Sequence, residues 1–131
     1  MMKPRHALIL CAAMAASFLG GLAFAGKAAV PVVRIAELEI DPAQLDAYQA
    51  AVKEEMATSV RIEPGVLAIY AVAEKAHPNR LRFFEMYADE AAYRSHLASP
   101  HFQKYVKTTQ QMILSRKLIE TVPVLLATNP R

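Results

Sequence analysis

Short apolar runs alternate with amphipathic stretches along most of this chain. Runs of the kind that form β-strands cover residues 32–40, 66–73, 80–87 and 118–127. Between the first two runs, apolar side chains recur every three or four residues, at Leu45, Tyr48, Val52, Met56 and Val60. This spacing predicts a helix with one buried face, and it leaves Lys53, Glu54 and Glu55 off that face. A second helical stretch follows the third run, so the predicted order is β-α-β-β-α-β.

Capping residues mark the helix boundaries. Asp41-Pro42 begins the first helix and Pro64-Gly65 ends it. The second helical stretch begins at Asp89 and is broken at Ser99-Pro100, which supplies both a stop and a new N-cap. The apolar stripe after this break is predicted to comprise Phe102, Tyr105, Val106, Thr109, Met112 and Ile113. Pro123 falls within the last predicted strand and places it on a sheet edge or at a bulge.

The second and third strands predict which side chains share a face. Residues 66–73 are apolar at almost every position, which predicts burial of both faces of that strand. In the third strand, one face carries Leu81, Phe83, Glu85 and Tyr87, and the other carries Arg82, Phe84 and Met86. Glu85 therefore lies in a row of apolar and aromatic side chains, which is an unusual place for an unpaired charge.

The predicted order favours an α+β fold of the ferredoxin-like kind, a four-stranded antiparallel sheet with helices on one face. The other face of such a sheet would expose a large apolar area, and areas of that kind usually mark an interface. We therefore expect two copies to pack sheet against sheet as a homodimer that closes a barrel-like chamber. No repeat or linker indicates a second domain.

Residues 1–25 have the pattern of a secretory signal peptide. Lys3 and Arg5 precede an apolar stretch over 7–22, and Ala23-Phe24-Ala25 fits a cleavage site. Cleavage after Ala25 would leave residues 26–131 as one exported, periplasmic domain. A permanent N-terminal anchor is the alternative, although the apolar stretch is short for a membrane span. The only cysteine is Cys11, so the mature domain would have no disulfide.

Charge and motif content narrow the classes of function. The formal net charge is +3, and the basic residues are scattered rather than clustered, so neither nucleic acid nor an anionic membrane surface is an expected partner. The sequence has no G-x-G-x-x-G, P-loop or G-x-S-x-G motif. With only four glycines in the chain, a phosphate-binding loop is not expected either.

Candidate chemistry concentrates between residues 82 and 102. His96 and His101 lie five apart across the helix break, and the break can bring both rings toward one cavity as a general base and a hydrogen-bond donor. The alternative is that one histidine caps a helix end while the other lies on the surface. Glu85 can orient an imidazole or form a plain ion pair. A metal set of Glu85, His96 and His101 is chemically possible, but the ligand spacing gives no support and no metal site is predicted.

The same stretch resembles a known family. Phe84-Glu85-x-Tyr87, followed by Ala92-Tyr93-x-x-His96-x-x-x-Pro100-His101-Phe102, is similar to the signature of the antibiotic biosynthesis monooxygenase domain. The resemblance extends over residues 32–126 and implies a dimeric α+β barrel. It also implies oxidation of a quinol or phenolic aromatic by molecular oxygen, without flavin, haem or metal. A haem-degrading branch of the family uses a tryptophan, which this chain lacks.

The resemblance implies a set of site residues. The expected catalytic groups are His96 and His101, of which either one is the base and the other the hydrogen-bond donor, and Glu85 as the orienting group. Tyr87 and Phe102 also match motif positions of the family. Together with Tyr70, Arg82 and Phe84, which the resemblance does not assign individually, they are the expected substrate-binding residues. Two alternatives stay open: the same barrel could bind a small hydrophobic ligand without turnover, or it could be a purely structural dimer with its histidines outside.

Overall fold

A computed structural model describes residues 29–129, so the predicted signal peptide, its cleavage site and the ends of the predicted domain lie outside the described residues. The strands are β1 (Val32–Ile40), β2 (Val66–Ala73), β3 (Arg80–Tyr87) and β4 (Ile113–Glu120). The helices are α1 (Leu45–Ile62), which follows a 3₁₀ turn over Pro42–Gln44, α2 (Glu90–Ala98) and α3 (Pro100–Thr109). None of the helices between residues 29 and 129 has the length and apolar character needed to cross a membrane.

The four strands form one antiparallel sheet in the order β2-β3-β1-β4. β3 lies between β1 and β2, and β1 lies between β3 and β4, so each strand-helix-strand unit is split by one inserted strand. This arrangement confirms the predicted ferredoxin-like α+β fold. The first three strands also begin and end where the apolar runs predicted.

The predicted caps form the contacts expected of them. The Asp41 carboxylate accepts a hydrogen bond from the Ala43 N–H at 3.0 Å. Asp89 accepts one from the Ala92 N–H at 2.8 Å, and the Ser99 hydroxyl accepts one from the Phe102 N–H at 3.3 Å. These side chains satisfy N–H groups that have no partner within a helix. Asp89 and Ser99 mark the starts of α2 and α3, whereas Asp41 marks the start of the 3₁₀ turn that precedes α1.

The predicted position of the last strand was wrong. β4 begins at Ile113 rather than 118, and it ends at Glu120, before Pro123. α3 stops at Thr109, and the next turn directs the Met112 carbonyl to the Asp41 N–H at 2.8 Å. From there Ile113 pairs with Ile40, and the ladder with β1 runs to Glu120. Pro123 has no N–H to donate to a ladder, which fits its place beyond the strand.

The core lies between the sheet and α1, around Leu38, Ile40, Tyr48, Val52 and Phe83. The predicted stripe of α1 was wrong at its C-terminal half. Glu55 and Ser59 are buried, whereas Val60 is 51% exposed. Their spacing explains the difference, because residues three and seven positions after Val52 fall on the same side of a helix as Val52. The buried face therefore continues as polar residues.

The helices cover one face of the sheet and leave the other open. On this outer face Tyr70 and Val72 are 64% and 63% exposed, and Phe84 packs on Tyr70 with ring centroids 6.5 Å apart. The prediction that both faces of β2 are buried was therefore wrong for the single chain. Its alternate side chains Ile69 and Ala71 face the helices, opposite Glu85 and Phe83 of β3.

Gly65 permits a close approach between the start of β2 and α2. A Cβ atom at this position would lie 2.5 Å from the Cβ of Ala92. The Gly65 carbonyl also accepts a hydrogen bond from the Ala88 N–H at 2.9 Å. The Pro64-Gly65 turn therefore holds the N-terminal part of α2 against the sheet.

Candidate active site

His96 and His101 converge on one carboxylate, that of Glu63. Glu63 Oε1 lies 3.0 Å from His96 Nδ1 and 2.6 Å from His101 Nε2. The two imidazole centroids are 6.3 Å apart. The helix break thus brings the two rings together, as the sequence suggested, but the group that joins them was not among the predicted residues.

The junction between α2 and α3 produces this convergence. Ser99 is extended, with φ −66° and ψ 145°, so the helical path stops for one residue and restarts at Pro100. His96 lies in the last turn of α2 and is 2% exposed, whereas His101 lies in the first turn of α3 and is 16% exposed. The Ser99 hydroxyl lies 3.2 Å from His101 Nε2 and adds a second contact to that ring.

Glu63 is held in place where α1 ends. It is the first residue beyond the helix, and its N–H donates to the Ser59 carbonyl at 2.9 Å. Burial acts to raise the pKa of the Glu63 carboxyl. The hydrogen bonds and positive charge of His96 and His101 outweigh that effect, and the pKa is lowered. Glu63 is therefore an ionised anchor for the two imidazoles near neutral pH.

A second carboxylate, Glu55, approaches His96 from α1. Its side chain is 6% exposed, and Glu55 Oε1 accepts a hydrogen bond from the Ser59 hydroxyl at 2.6 Å. The same oxygen lies 3.8 Å from His96 Nε2, beyond hydrogen-bonding distance. His96 therefore has Glu63 on one ring nitrogen and Glu55 facing the other.

A cavity of about 100 Å³ lies beside His96, between the helices and the covered face of the sheet, and it is partly open to solvent. Its wall is mostly apolar and includes Leu38, Val52, Phe83, Leu97, Phe102 and Leu118. The polar residues that line it are Glu55, Glu85, Tyr93, His96, Tyr105 and Arg116. The expected chamber between two sheets is therefore not where the titratable groups lie, because this cavity forms within a single chain.

Glu85 lines the cavity but contacts neither histidine by a hydrogen bond among the described residues. Its Oε2 accepts a hydrogen bond from the Tyr87 hydroxyl at 2.8 Å. Burial raises the pKa of the Glu85 carboxyl, although the Tyr87 hydrogen bond and the charge of His96 act in the opposite direction. The contact that we expected from Glu85 to an imidazole is made instead by Glu63.

Two of the predicted aromatic residues lie beside His96. The Phe102 ring lines the cavity, with its centroid 4.7 Å from that of His96. Tyr87 is fully buried behind the histidine, with centroids 5.3 Å apart, and burial raises the pKa of its hydroxyl far above the usual value. Tyr87 therefore supports the site through Glu85 and His96 rather than through the cavity surface.

The other three predicted substrate-binding residues lie elsewhere. Tyr70, Arg82 and Phe84 project from the outer face of the sheet, on the side opposite Glu85 and the cavity. Arg82 Nη2 forms an ion pair with Glu74 Oε1 at 2.6 Å. Because neighbouring residues of a strand point to opposite faces, Arg82 and Phe84 cannot share a cavity with Glu85 in one chain.

Sequence reasoning missed Glu55, Glu63 and Arg116. Glu55 carried a readable signal, since it lies three residues after Val52 on the buried side of α1. Glu63 carried none beyond its place before the Pro64-Gly65 turn, because its contacts are with residues more than thirty positions away. Arg116 was hidden by the wrong position of β4, which assigned it to neither helix nor strand.

Small-molecule sites are typically mostly apolar cavities with a few convergent polar side chains, and the cavity beside His96 has this form. The model of the antibiotic biosynthesis monooxygenase family matches residues 31–108. None of the curated proteins matches the chain. The chain belongs to the antibiotic biosynthesis monooxygenase family, as its sequence motif implied.

Solved structures agree with this assignment. A crystal structure from Bacteroides thetaiotaomicron VPI-5482, whose name places it in the same family, is 46% identical, with a TM-score of 0.74 over 78% of this chain and 97% of that one. A crystal structure from Lactobacillus acidophilus NCFM, named as a monooxygenase, is 34% identical to this chain, with a TM-score of 0.69. The match covers 70% of this chain and 44% of the Lactobacillus chain. A Pseudomonas aeruginosa protein shares the fold at 20% identity, with a TM-score of 0.70 over 76% of this chain and all of that one.

Proposed function

We propose that the protein is a cofactor-independent monooxygenase that oxidises a quinol or phenolic aromatic with molecular oxygen. The observation that carries the proposal is the arrangement of His96. When its Nδ1–H donates to Glu63, its Nε2 keeps a lone pair beside an apolar cavity. An imidazole held in one tautomer by a carboxylate is the usual form of a general base.

The proposed oxidation requires few protein groups other than the general base. His96 Nε2 removes a phenolic proton, and the resulting electron-rich anion reduces oxygen directly. One oxygen atom enters the aromatic ring and the other leaves as water, while the quinol supplies all of the electrons as it becomes a hydroxylated quinone. The positive charge gained by His96 is stabilised by Glu63, and the apolar wall excludes water that would solvate the anion.

Glu85 can provide the hydrogen bond that the reaction needs at a developing negative charge. Burial favours its neutral, protonated form, which is a donor, and it lines the same cavity as His96. His101 does not line that cavity. In this proposal His101 shares Glu63 with His96 and tunes the charge of the carboxylate.

The cavity size bounds the substrate. An apolar cavity of about 150 Å³ is known to bind benzene. The cavity beside His96, at about 100 Å³, is somewhat smaller but partly open. A single hydroxylated ring is therefore the largest group expected to enter fully, with any further substituent projecting toward solvent near Arg116 and Leu118.

Oxygen uptake with a panel of hydroquinones tests the proposal. We expect uptake by the wild type and a loss of roughly 100-fold or more in a His96→Ala variant. The matched control is His77→Ala, which removes an exposed histidine from the β2–β3 loop. Equal uptake by both variants, or none by the wild type, would contradict it. Tight binding of a quinol without any uptake would instead favour the alternative of a ligand-binding barrel.

The outer sheet face supports a proposal about assembly. Tyr70 and Val72 are mostly exposed and lie beside Phe84 on an otherwise ordered sheet, which is an unfavourable arrangement for an isolated chain in water. The proposed assembly is a homodimer in which this face packs on its copy. Because the cavity lies on the opposite face, dimerisation would stabilise each site rather than form it.

Export is a further part of the proposal. It rests on the basic, apolar and small-residue pattern of residues 1–25. Cell fractionation followed by mass measurement of the N-terminus tests it directly. A periplasmic protein that begins at Gly26 is expected, whereas an intact N-terminus in the membrane fraction would favour the anchor.

A further inference from the structure

We infer that Glu55, His96 and His101 form a binding site for a divalent transition metal, with Zn²⁺ as the best-suited ion. Each of the three side chains offers one ligand atom, and these atoms all lie within 4.8 Å of one another. The three residues come from three different elements, α1, α2 and α3. Two imidazoles and one carboxylate are a donor set that zinc sites use repeatedly.

The distances are close to those of a bound site. Zinc binds nitrogen and oxygen at about 2.0–2.1 Å, so ligand atoms in a tetrahedral site are roughly 3.3 Å apart. Glu55 Oε1 and His96 Nε2 are already 3.8 Å apart. Two ligand atoms as far apart as 4.8 Å, the upper limit for this cluster, would have to approach each other by roughly 1.5 Å. Side-chain rotation of the partly exposed His101 can supply that movement.

The surroundings have the second layer of contacts that metal sites require. Metal-bound histidines usually donate their other ring N–H to a carboxylate, which fixes the ring. Glu63 Oε1 is within hydrogen-bonding distance of a ring nitrogen on both His96 and His101. Ser59 orients Glu55 through its 2.6 Å hydrogen bond. His96 and Glu55 are thus held by neighbours that are not themselves ligands, whereas His101 would have to adjust its contact with Glu63 on metal binding.

Charge favours a cation in the same place. With both imidazoles neutral, Glu55 and Glu63 place two negative charges in a region where Glu55 is 6% exposed. Among residues 29–129, the ion pairs of these two carboxylates are with His96 and His101 and not with a lysine or arginine. Lys104 pairs with Glu54. A divalent cation bound at the cluster would neutralise this charge.

Metal binding at this cluster does not require the proposed oxygenase reaction, but it would affect that reaction. His96 Nε2 cannot serve as a base while its lone pair is bound to zinc. Occupation of the cluster would therefore inhibit oxygen uptake rather than support it. The two proposals can fail separately, because metal binding is measured without substrate and oxygen uptake is measured in the presence of a chelator.

Zinc titration of the chelator-treated full-length chain, in competition with a chromophoric chelator, tests the site. One zinc ion per chain is expected, and Co²⁺ should give the intense visible bands of a four-coordinate ion. Glu55→Gln keeps the shape of the side chain and should weaken zinc binding by more than about tenfold. Glu54→Gln, one residue earlier and exposed, should leave the affinity unchanged.

A second variant tests the same site in case Glu55→Gln does not fold. His101→Gln changes a residue that is already partly exposed, and it should weaken zinc binding to a similar degree. Circular dichroism establishes that each variant is folded. Absence of stoichiometric zinc in the wild type, or equal zinc affinity in Glu54→Gln, Glu55→Gln and His101→Gln, would overturn the inference.

Discussion

Glu63 and His96, which are 33 residues apart in the chain, are joined by a 3.0 Å contact between Oε1 and Nδ1. The contact connects the end of α1 to the end of α2 and determines which nitrogen of the buried imidazole faces the cavity. His101 shares the same oxygen at 2.6 Å, so one carboxylate positions both rings. The candidate site is therefore organised around a residue that lines no part of the cavity described above.

Glu63→Gln should lower the rate of the proposed reaction while leaving substrate binding largely intact. A neutral amide stabilises the imidazolium of His96 less than a carboxylate does, so kcat is expected to fall by about 10- to 100-fold with little change in KM. Steady-state oxygen uptake measures this split. Nitrogen-detected NMR of the imidazole provides the structural check, because the His96 tautomer should become mixed. Unchanged kcat with a single tautomer would contradict a positioning role for Glu63.

Glu85→Gln should stabilise the fold at neutral and alkaline pH. Burial raises the pKa of Glu85 above its ordinary value of 4.5, so the folded state holds this proton more tightly than the unfolded state does. The unfolded state then binds fewer protons once the pH exceeds that value, and stability falls as the pH rises. Glutamine avoids this loss and can still accept the Tyr87 hydrogen bond.

Thermal unfolding between about pH 4 and pH 8 measures the Glu85 effect. The melting temperature of Glu85→Gln should exceed that of the wild type at the higher pH, and the difference should shrink toward the lower pH. Glu120→Gln, at an exposed position of β4, is the matched control. A difference that grows toward acid pH would show that the sign is wrong.

Gly65→Ala should destabilise the domain by about 1–3 kcal/mol through overpacking. The new methyl group would lie 2.5 Å from the Cβ of Ala92, so α2 or the turn must move. Removing that Cβ in the Gly65→Ala/Ala92→Gly double variant should recover part of the loss. Chemical denaturation of the two single variants and the double variant gives the coupling directly. Strictly additive effects would mean that the close approach is not the cause.

Val72→Lys should dissociate the proposed homodimer. Val72 is 63% exposed on the outer sheet face, where a lysine at a sheet-to-sheet interface would leave its charge without water. Val60→Lys is the matched control, since Val60 is 51% exposed but lies on α1, on the helical side. Sedimentation velocity should show dimers for the wild type and Val60→Lys and monomers for Val72→Lys. A monomeric wild type would contradict the proposed assembly.

Local signals in the sequence were sufficient for most of the fold. Asp89 and Ser99 cap α2 and α3 as predicted, and Asp41 caps the 3₁₀ turn that leads into α1, because capping depends on residues within three positions of each other. The bounds of β1, β2 and β3 were also predicted correctly, because a short apolar run is likewise a local signal. β4 was misplaced because Met112 and Ile113 continue the helical spacing of α3. Only the pairing of Ile113 with Ile40 shows that the chain has become extended.

The candidate site was less predictable because it depends on contacts between distant residues. The sequence indicated that His96 and His101 could meet, since both lie close to the helix break at Ser99. It could not indicate Glu63, whose role arises only when α1 packs beside α2 and α3. It also gave no means of deciding which face of the sheet borders the cavity. Grouping Arg82 and Phe84 with Glu85 was a separate mistake, because the alternation of side chains along the third strand already places them on the opposite face.

Because Ser99 alone connects α2 to α3, the length of this connection determines how the two histidines are placed. An additional amino acid inserted there must either bulge outward or turn α3 by about 100° about its axis, since a helix has 3.6 residues per turn. Such a rotation would carry the imidazole of His101 away from Glu63, although every chemical group would still be present. Insertion mutants at this junction could thus abolish the cluster while retaining all of its components.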